Sequence, residues 1–461
     1  DGLTSATKNE ASWVGDGWDY SPGFIEAEYV PCSSEQGFGS KYPDTGDLCP
    51  SPSAQFLTLS LNGTSSTMVA GSNGTWTSEA DDGGKIVNKG SATSAEFAGS
   101  YWELTEPDGT QYYFGLNELP GYASGDQATD SAWTVPDGAA DDAGPALVWR
   151  WNLDYVANPQ GNAIAYFYHP QINYYAEADG TTGDGEYTQG GSLTRIEYGL
   201  RAGDIYGATP AAQVNFTTTA GREDAPADLT CASGAACAVT APTFWTDDAL
   251  TTISTQSLAN GSLQDVDSWS LTDTYPATGD PTTPPSLWLS SITRTGQDGS
   301  APVTLPPTTF AGAPLPNRVE TTADTAAGYS LITRFRLASI TSDTGGVTTV
   351  AYSGEDATCA AGNFPAPDAN TTACYPGYWT PPGTSSPTED WFNLYTVSKM
   401  TQTDTTGGDP PVITSYAYAG AAWHDNDDTI SRSVTTTWDQ WRGYRTITTA
   451  VSYTHLTLPT I

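Results

Sequence analysis

Residues 151–168 read WNLDYVANPQGNAIAYFY. Trp149, Trp151, Leu153 and Tyr155 alternate with other residues, so at the two-residue period of a strand they share one face. Asn158, Pro159, Gln160, Gly161 and Asn162 then make a turn, because Gly supplies the positive φ that tight turns need. Ile164, Tyr166 and Tyr168 share a face of the returning strand. The segment is therefore a β-hairpin ending in tyrosine, a ring suited to a half-buried pleated surface. The pattern recurs at 337–352 (LASITSDTGGVTTVAY) and at 397–418 (VSKMTQTDTTGGDPPVITSYAY). Looser copies lie at 102–114 (WELTEPDGTQYYF) and 287–310.

Outward from these copies the chain keeps the same texture. Residues 56–61 (FLTLSL) alternate cleanly, Asn62-Gly63 signals a turn, and 66–70 return. Residues 75–76 and 85–87 flank DDGG as a further hairpin. Short strands are predicted at 193–198, 214–218, 250–257 and 268–275. Long loops are predicted at 116–146, carrying Trp133, and at 170–191, 219–242 and 354–389. A Pro-rich joint at 276–285 is the candidate boundary between lobes, and the prolines of 302–320 predict extended chain at a solvent edge. No stretch holds apolar residues at i, i+3, i+4 and i+7 for three turns, so the fold class is all-β. Hairpin-rich antiparallel sheets in β-sandwich-like lobes with long stapled loops are the expected architecture, one lobe over 1–275 and a second over 276–450.

Composition sets the environment. The chain has 461 residues, 15 Trp and 25 Tyr, enough to bury a core and too aromatic for disorder. Asp and Glu number 53 against 16 Lys and Arg, a net charge of −37. Such a surface repels nucleic-acid backbones and anionic membranes, and no apolar run is long enough to span a bilayer. Six cysteines fall in three local pairs, Cys32 with Cys49, Cys231 with Cys237, and Cys359 with Cys374. No pair has CxxC spacing or a neighbouring histidine, which disfavours zinc. Disulfides stapling loops in an oxidising, extracellular compartment are expected, with buried free thiols as the alternative. The five Asn-x-Ser/Thr sequons carry little weight in a chain this rich in Thr and Ser.

Motifs for chemistry are sparse. There is no GxSxG, HExxH, P-loop or GxGxxG. His169, His424 and His455 have no motif around them. Asp154, Glu197, Asp267 and Asp390 lie among aromatics, as a glycosidase's carboxylates do, although turns and solvated faces account for most such residues. Trp133 and Trp379, placed in loops, are the candidate exposed rings for glycan stacking. Asp425, Asp427 and Asp428, with Asn426 between them, could gather oxygens around calcium. They lack the Gly and the final Glu of an EF-hand loop, and a polar turn is the simpler reading. No other cofactor is implied.

Several segments together resemble the N-terminal, pre-repeat region of secreted actinobacterial YD-repeat (Rhs-type) proteins. They are 17–25 (GWDYSPGFI), 101–102 (YW), 107–115 (PDGTQYYFG), 131–136 (SAWTVP), 149–168, 242–245 (PTFW), 315–319 (LPNRV), 378–382 (YWTPP) and 438–444 (WDQWRGY). They occur in family order over most of residues 13–447. The resemblance implies a large secreted or wall-associated protein whose repeats wind a β-sheet into a hollow shell around a variable C-terminal effector, often a toxin. A dense run of YD repeats, the core and the effector are missing here. Residues 451–461 (VSYTHLTLPTI) resemble the translated sequencing-adapter tail of metagenomic gene fragments, and Asp1 reads as a processed or truncated start. The expected role is a non-catalytic scaffold whose partners are the shell and effector of the same polypeptide, with cell-wall glycan as a further partner. The rival is a secreted carbohydrate-binding or glycoside-hydrolase-like β protein.

Overall fold

The computed structural model describes residues 11–34, 44–50, 57–80, 83–90, 100–138, 146–320, 328–381, 384, 386–425 and 436–452. The chain divides into two units. One comprises residues 20–269 with 295–303, the other 1–19, 270–294 and 304–461. Both are built from antiparallel strands. The longest described helix is the four-residue turn Ala357–Ala360. No described helix is long and apolar enough to cross a membrane.

The first unit opens with β1 (Gly23–Ala27), β2 (Tyr29–Pro31), β3 (Leu48–Pro50), β4 (Leu57–Leu61), β5 (Thr64–Ala70), β6 (Thr75–Ser78), β7 (Lys85–Lys89), β8 (Tyr101–Thr105), β9 (Gln111–Phe114), β10 (Ala132–Val135) and β11 (Leu147–Ala157). Eight of these close a ring. β1 pairs with β4, then β4 with β5, β5 with β6, β6 with β7, β7 with β8, β8 with β9, β9 with β11, and β11 returns to β1. Closure removes the sheet edge, and alternate residues point inward. Ile25, Leu57, Leu59, Ile86, Trp102 and Trp151 fill the interior. Trp102 and Trp151 meet edge to face with centroids 5.9 Å apart, and Trp151 Nε1 donates to the Ser100 carbonyl at 3.0 Å. Gly115, at φ +75°, lies flat against the Trp151 ring, where a Cβ would overlap it.

β11 then carries the chain out of the ring. It pairs with β12 (Asn162–Tyr175), followed by β13 (Gly185–Arg201), β14 (Ala212–Ala220) and β15 (Asp248–Ala259), each antiparallel to the one before. The loop expected at 170–191 is instead largely β12 and β13, with Pro170 paired to Gly191. Gly190 and Gly191 read as loop residues, yet here they allow close backbone approach: a Cβ on Gly190 would meet the Trp245 carbonyl, and one on Gly191 the His169 carbonyl and the Trp133 ring. The loop expected at 116–146 likewise contains β10, which pairs with β11.

Three strands, β16 (Ser262–Thr274), β17 (Trp288–Gly296) and β18 (Val303–Thr304), cross the boundary between units along the chain. The second unit continues with β19 (Thr308–Pro316), β20 (Thr333–Thr341), β21 (Val347–Tyr352), β22 (Cys374–Trp379), β23 (Thr388–Asn393), β24 (Val397–Thr403), β25 (Val412–His424) and β26 (Gln440–Ser452). β17 pairs with β19, and the ladder runs through β20, β21, β24, β25 and β26 in chain order. β22 and β23 form a separate ribbon inside the stretch expected as a loop. Residues 451 and 452, the start of the stretch that resembles an adapter tail, finish β26, and 453–461 lie outside the described residues.

One turn is used three times. Glu106, Asn158 and Ser342 each donate their N–H to the carbonyl four residues on and accept from the N–H three residues on. The residue three on is Gly109, Gly161 or Gly345, at φ of 88°, 76° and 89°. This is a three-residue hairpin loop with glycine in the left-handed position. Asn62-Gly63 and Asn260-Gly261 instead make two-residue turns, both members at positive φ.

The terminal tyrosines also repeat. Tyr168 Oη donates to the Leu153 carbonyl at 2.6 Å, Tyr352 Oη to Leu337 at 3.0 Å, and Tyr418 Oη to Val397 at 2.8 Å. Each hydroxyl thus reaches from the end of its hairpin back to the beginning. In the second unit Tyr352 is also opposite Val397 in the β21–β24 register, so the latch of one hairpin is next to the acceptor of the following one. Three disulfides join Cys32 to Cys49, Cys231 to Cys237 and Cys359 to Cys374, with Cα separations of 5.1, 5.6 and 6.6 Å.

Candidate functional site

Of the four carboxylates singled out by sequence, those of Asp154, Glu197 and Asp390 are engaged with the chain itself. Asp154 lies on β11 and is fully buried. Its Oδ2 accepts from Asn117 N–H at 2.7 Å, Thr129 Oγ1 at 2.8 Å and Ser131 Oγ at 2.7 Å. Burial raises its pKa to about 6, and these hydrogen bonds restrain the rise. Asp154 therefore bolts the 117–131 segment onto the first hairpin. Glu197 pairs with Arg195 at 2.7 Å. Asp390 pairs at 3.0 Å with Arg318, a buried guanidinium that also donates to the Ser330 and Tyr329 carbonyls. Asp267 donates its N–H to Thr255 Oγ1 at 3.2 Å, tying β16 to β15.

Trp133 and Trp379 are not the exposed rings that the sequence suggested. Trp133 sits on β10 and is 5% exposed, packed on Trp149 at 5.6 Å with the Arg150 guanidinium 5.3 Å from its centroid. Trp379 ends β22, is 8% exposed, and packs edge to face on Tyr329 at 5.9 Å with the Arg318 guanidinium 5.6 Å from its centroid. Both were read as loop residues, and their strands place them inside. Asp425 is exposed just after β25, while Asn426, Asp427 and Asp428 lie outside the described residues. Among the described residues no three His, Cys, Asp or Glu side chains group as metal ligands.

An aromatic groove that the sequence reading passed over opens on the first unit, on the outer face of β8, β9 and β11. It is a cavity of about 410 Å³ lined by Tyr101, Gln111, Tyr113, Glu118 and Tyr155 among others, with Leu116 and Pro120 along one side. The alternation that sends Trp102, Leu104 and Phe114 inward sends Tyr101, Glu103 and Tyr113 outward. Tyr113 is opposite Glu103 on β8 and Tyr155 on β11. Ring centroids are 6.3 Å apart for Tyr101–Tyr113 and 5.2 Å for Tyr113–Tyr155. Tyr155 is 3% exposed and rests on Leu119, Phe167 and Ile205, so the floor is fixed. Burial, then the Glu103 charge, pushes the Tyr113 phenol up to about 12. Glu103 is itself held by Lys89 at 3.3 Å. The alternation of β8 and β9 carried the signal for Tyr101 and Tyr113, but Tyr155, expected on the same face as Trp151 and Leu153, turns outward only through the register irregularity between Leu153 and Tyr155.

Comparison with known proteins gives structural likenesses only. No protein-family model and no curated protein matches the chain. The crystal structure of TcdB2-TccC3-TEV is 12% identical with a TM-score of 0.38, covering 97% of this chain and 20% of that one. That of TcdB2-TccC3 is 13% identical with a TM-score of 0.38, covering 85% and 19%. The N-terminal domain of effector protein SpvB from Salmonella typhimurium strain LT2 is 11% identical with a TM-score of 0.37, covering 64% of this chain and 92% of that domain. The chain thus spans about a fifth of the TcdB2-TccC3 chains. At scores of this size the fold is read from the chain's own strand pairing and not from these likenesses.

Proposed function

We propose that the chain is a non-catalytic scaffold module of a larger secreted YD-repeat (Rhs-type) protein, part of the β-wall that encapsulates or presents an effector carried elsewhere in the polypeptide. The observation that carries this reading is the joining of successive hairpins, in chain order, into one ladder from β17 to β26, with the β20–β21 and β24–β25 hairpins each closed by its own tyrosine. Such a ladder grows by adding hairpins, as repeat architectures do. The segments that resemble the YD-repeat pre-repeat region support it further, and three disulfides fit an oxidising, extracellular setting. A glycosidase reading is disfavoured because Asp154, Glu197 and Asp390 are committed to internal partners.

The test is to express this chain in frame with the sequence adjoining it in its source DNA and to determine the structure of the product by electron cryo-microscopy. The scaffold reading expects the adjoining hairpins to extend the same wall. An independent bead on a flexible linker, with no shared strand pairing, would overturn it.

A further inference from the structure

We infer that the groove over Tyr101, Tyr113 and Tyr155 is a binding site for a neutral pyranose chain. The inference stands apart from the scaffold reading, since a wall carries or lacks such a site without changing its own pairing. Three features point to this ligand class. The cavity, about 410 Å³, falls within the roughly 300–1,000 Å³ of small-molecule sites. Its surface is a run of phenol rings tilted by 35° and 43° to one another, with Tyr155 as the buried floor, an apolar face that suits the C–H faces of sugar rings. Its polar atoms are phenol hydroxyls, the Gln111 amide and the Glu118 carboxylate, which match the hydroxyl and amide groups of a saccharide. Among the described residues no Lys or Arg lines it, and the chain carries a charge of −37, so an anionic sugar is disfavoured.

Tyr155 forms the floor, Tyr113 the central platform and Tyr101 the outer platform. Glu118, exposed on the segment after β9, is the acceptor nearest solvent. Glu103 is opposite Tyr113 in the register and is already engaged by Lys89 and Gln111 Nε2, and it does not line the groove.

The experiment is calorimetric titration of the whole chain with three probes at millimolar concentration: triacetylchitotriose, cellotriose and trigalacturonate. Saturable binding of either neutral trisaccharide, weakened about tenfold by Tyr113→Ala and also by Tyr101→Ala, is expected. The two neutral probes distinguish an N-acetylated from a plain glucan source. Circular dichroism melts accompany each variant. Should Tyr113→Ala not fold, Tyr101→Ala and the exposed Glu118→Ala carry the test, each expected to weaken binding at unchanged melting temperature. No binding of either neutral probe overturns the inference, as does binding that is indifferent to Tyr101 and Glu118, or trigalacturonate binding as tightly as the neutral chains.

Discussion

At the scale of the residue, tyrosine is the informative side chain. Sequence reading placed a tyrosine at the end of each hairpin and gave it a half-buried face, and its ring does pack there. The hydroxyl's role was not legible, because Tyr168, Tyr352 and Tyr418 reach acceptors 15, 15 and 21 residues back, a distance fixed by the loop between them. Replacing Tyr352 by Phe removes one such bond and leaves the Leu337 carbonyl unpaired by it. The expected loss is about 1 kcal/mol in urea unfolding, and no loss would show the latch to be incidental. Asp154 gives a pH signature. Its folded pKa of about 6 lies above the roughly 3.9 of an unfolded Asp, so the folded state holds the proton more tightly. Its contribution is therefore fully present below about pH 4 and is lost as pH rises through about 6, a change of roughly 2 to 3 kcal/mol. Unfolding of the Asp154→Asn variant should lack that fall between pH 4 and 6.5. Equal slopes in variant and parent would refute the assignment.

At the scale of the element, turns were legible and strand extents were not. Gly109, Gly161 and Gly345 announce their hairpins because only glycine adopts the left-handed position at little cost. Nothing lies within 4 Å of a Cβ built on Gly161, so Gly161→Ala isolates the backbone term. It should destabilise by about 1 to 2 kcal/mol, and Gly161→Asn by less, as Asn tolerates that region. Equal losses for the two variants would mean that packing and not φ sets the cost. Residues 170–191 show the opposite case. Pro170, Gly190 and Gly191 look like breakers, yet all three sit in long strands, and at the two glycines neighbouring backbone and the Trp133 ring come too close for a side chain. Local pattern cannot reveal that crowding, since the residues that cause it are distant in sequence. The same reason hid the burial of Trp133 and Trp379: a ring in a Gly- and Pro-rich stretch looks free until its strand is paired.

At the scale of each unit, the all-β class followed from the repeated alternation, and the three cysteine pairs are bonded locally. The closure of eight strands into a filled ring did not follow, because it depends on β1 accepting both β4 and β11 as neighbours. That closure also turns Tyr101 and Tyr113 outward and makes the groove. The scaffold reading rests on the pairing between hairpins, not within them. Backbone amide hydrogen exchange along β20, β21 and β24 tests it most directly. In an antiparallel strand successive amides face opposite neighbours, so the β21 amides of residues 347–349, the stretch paired on both sides, divide between β20 and β24. A continuous wall predicts similar protection for both sets. Protection of the amides facing β20, with free exchange of those facing β24, would contradict it.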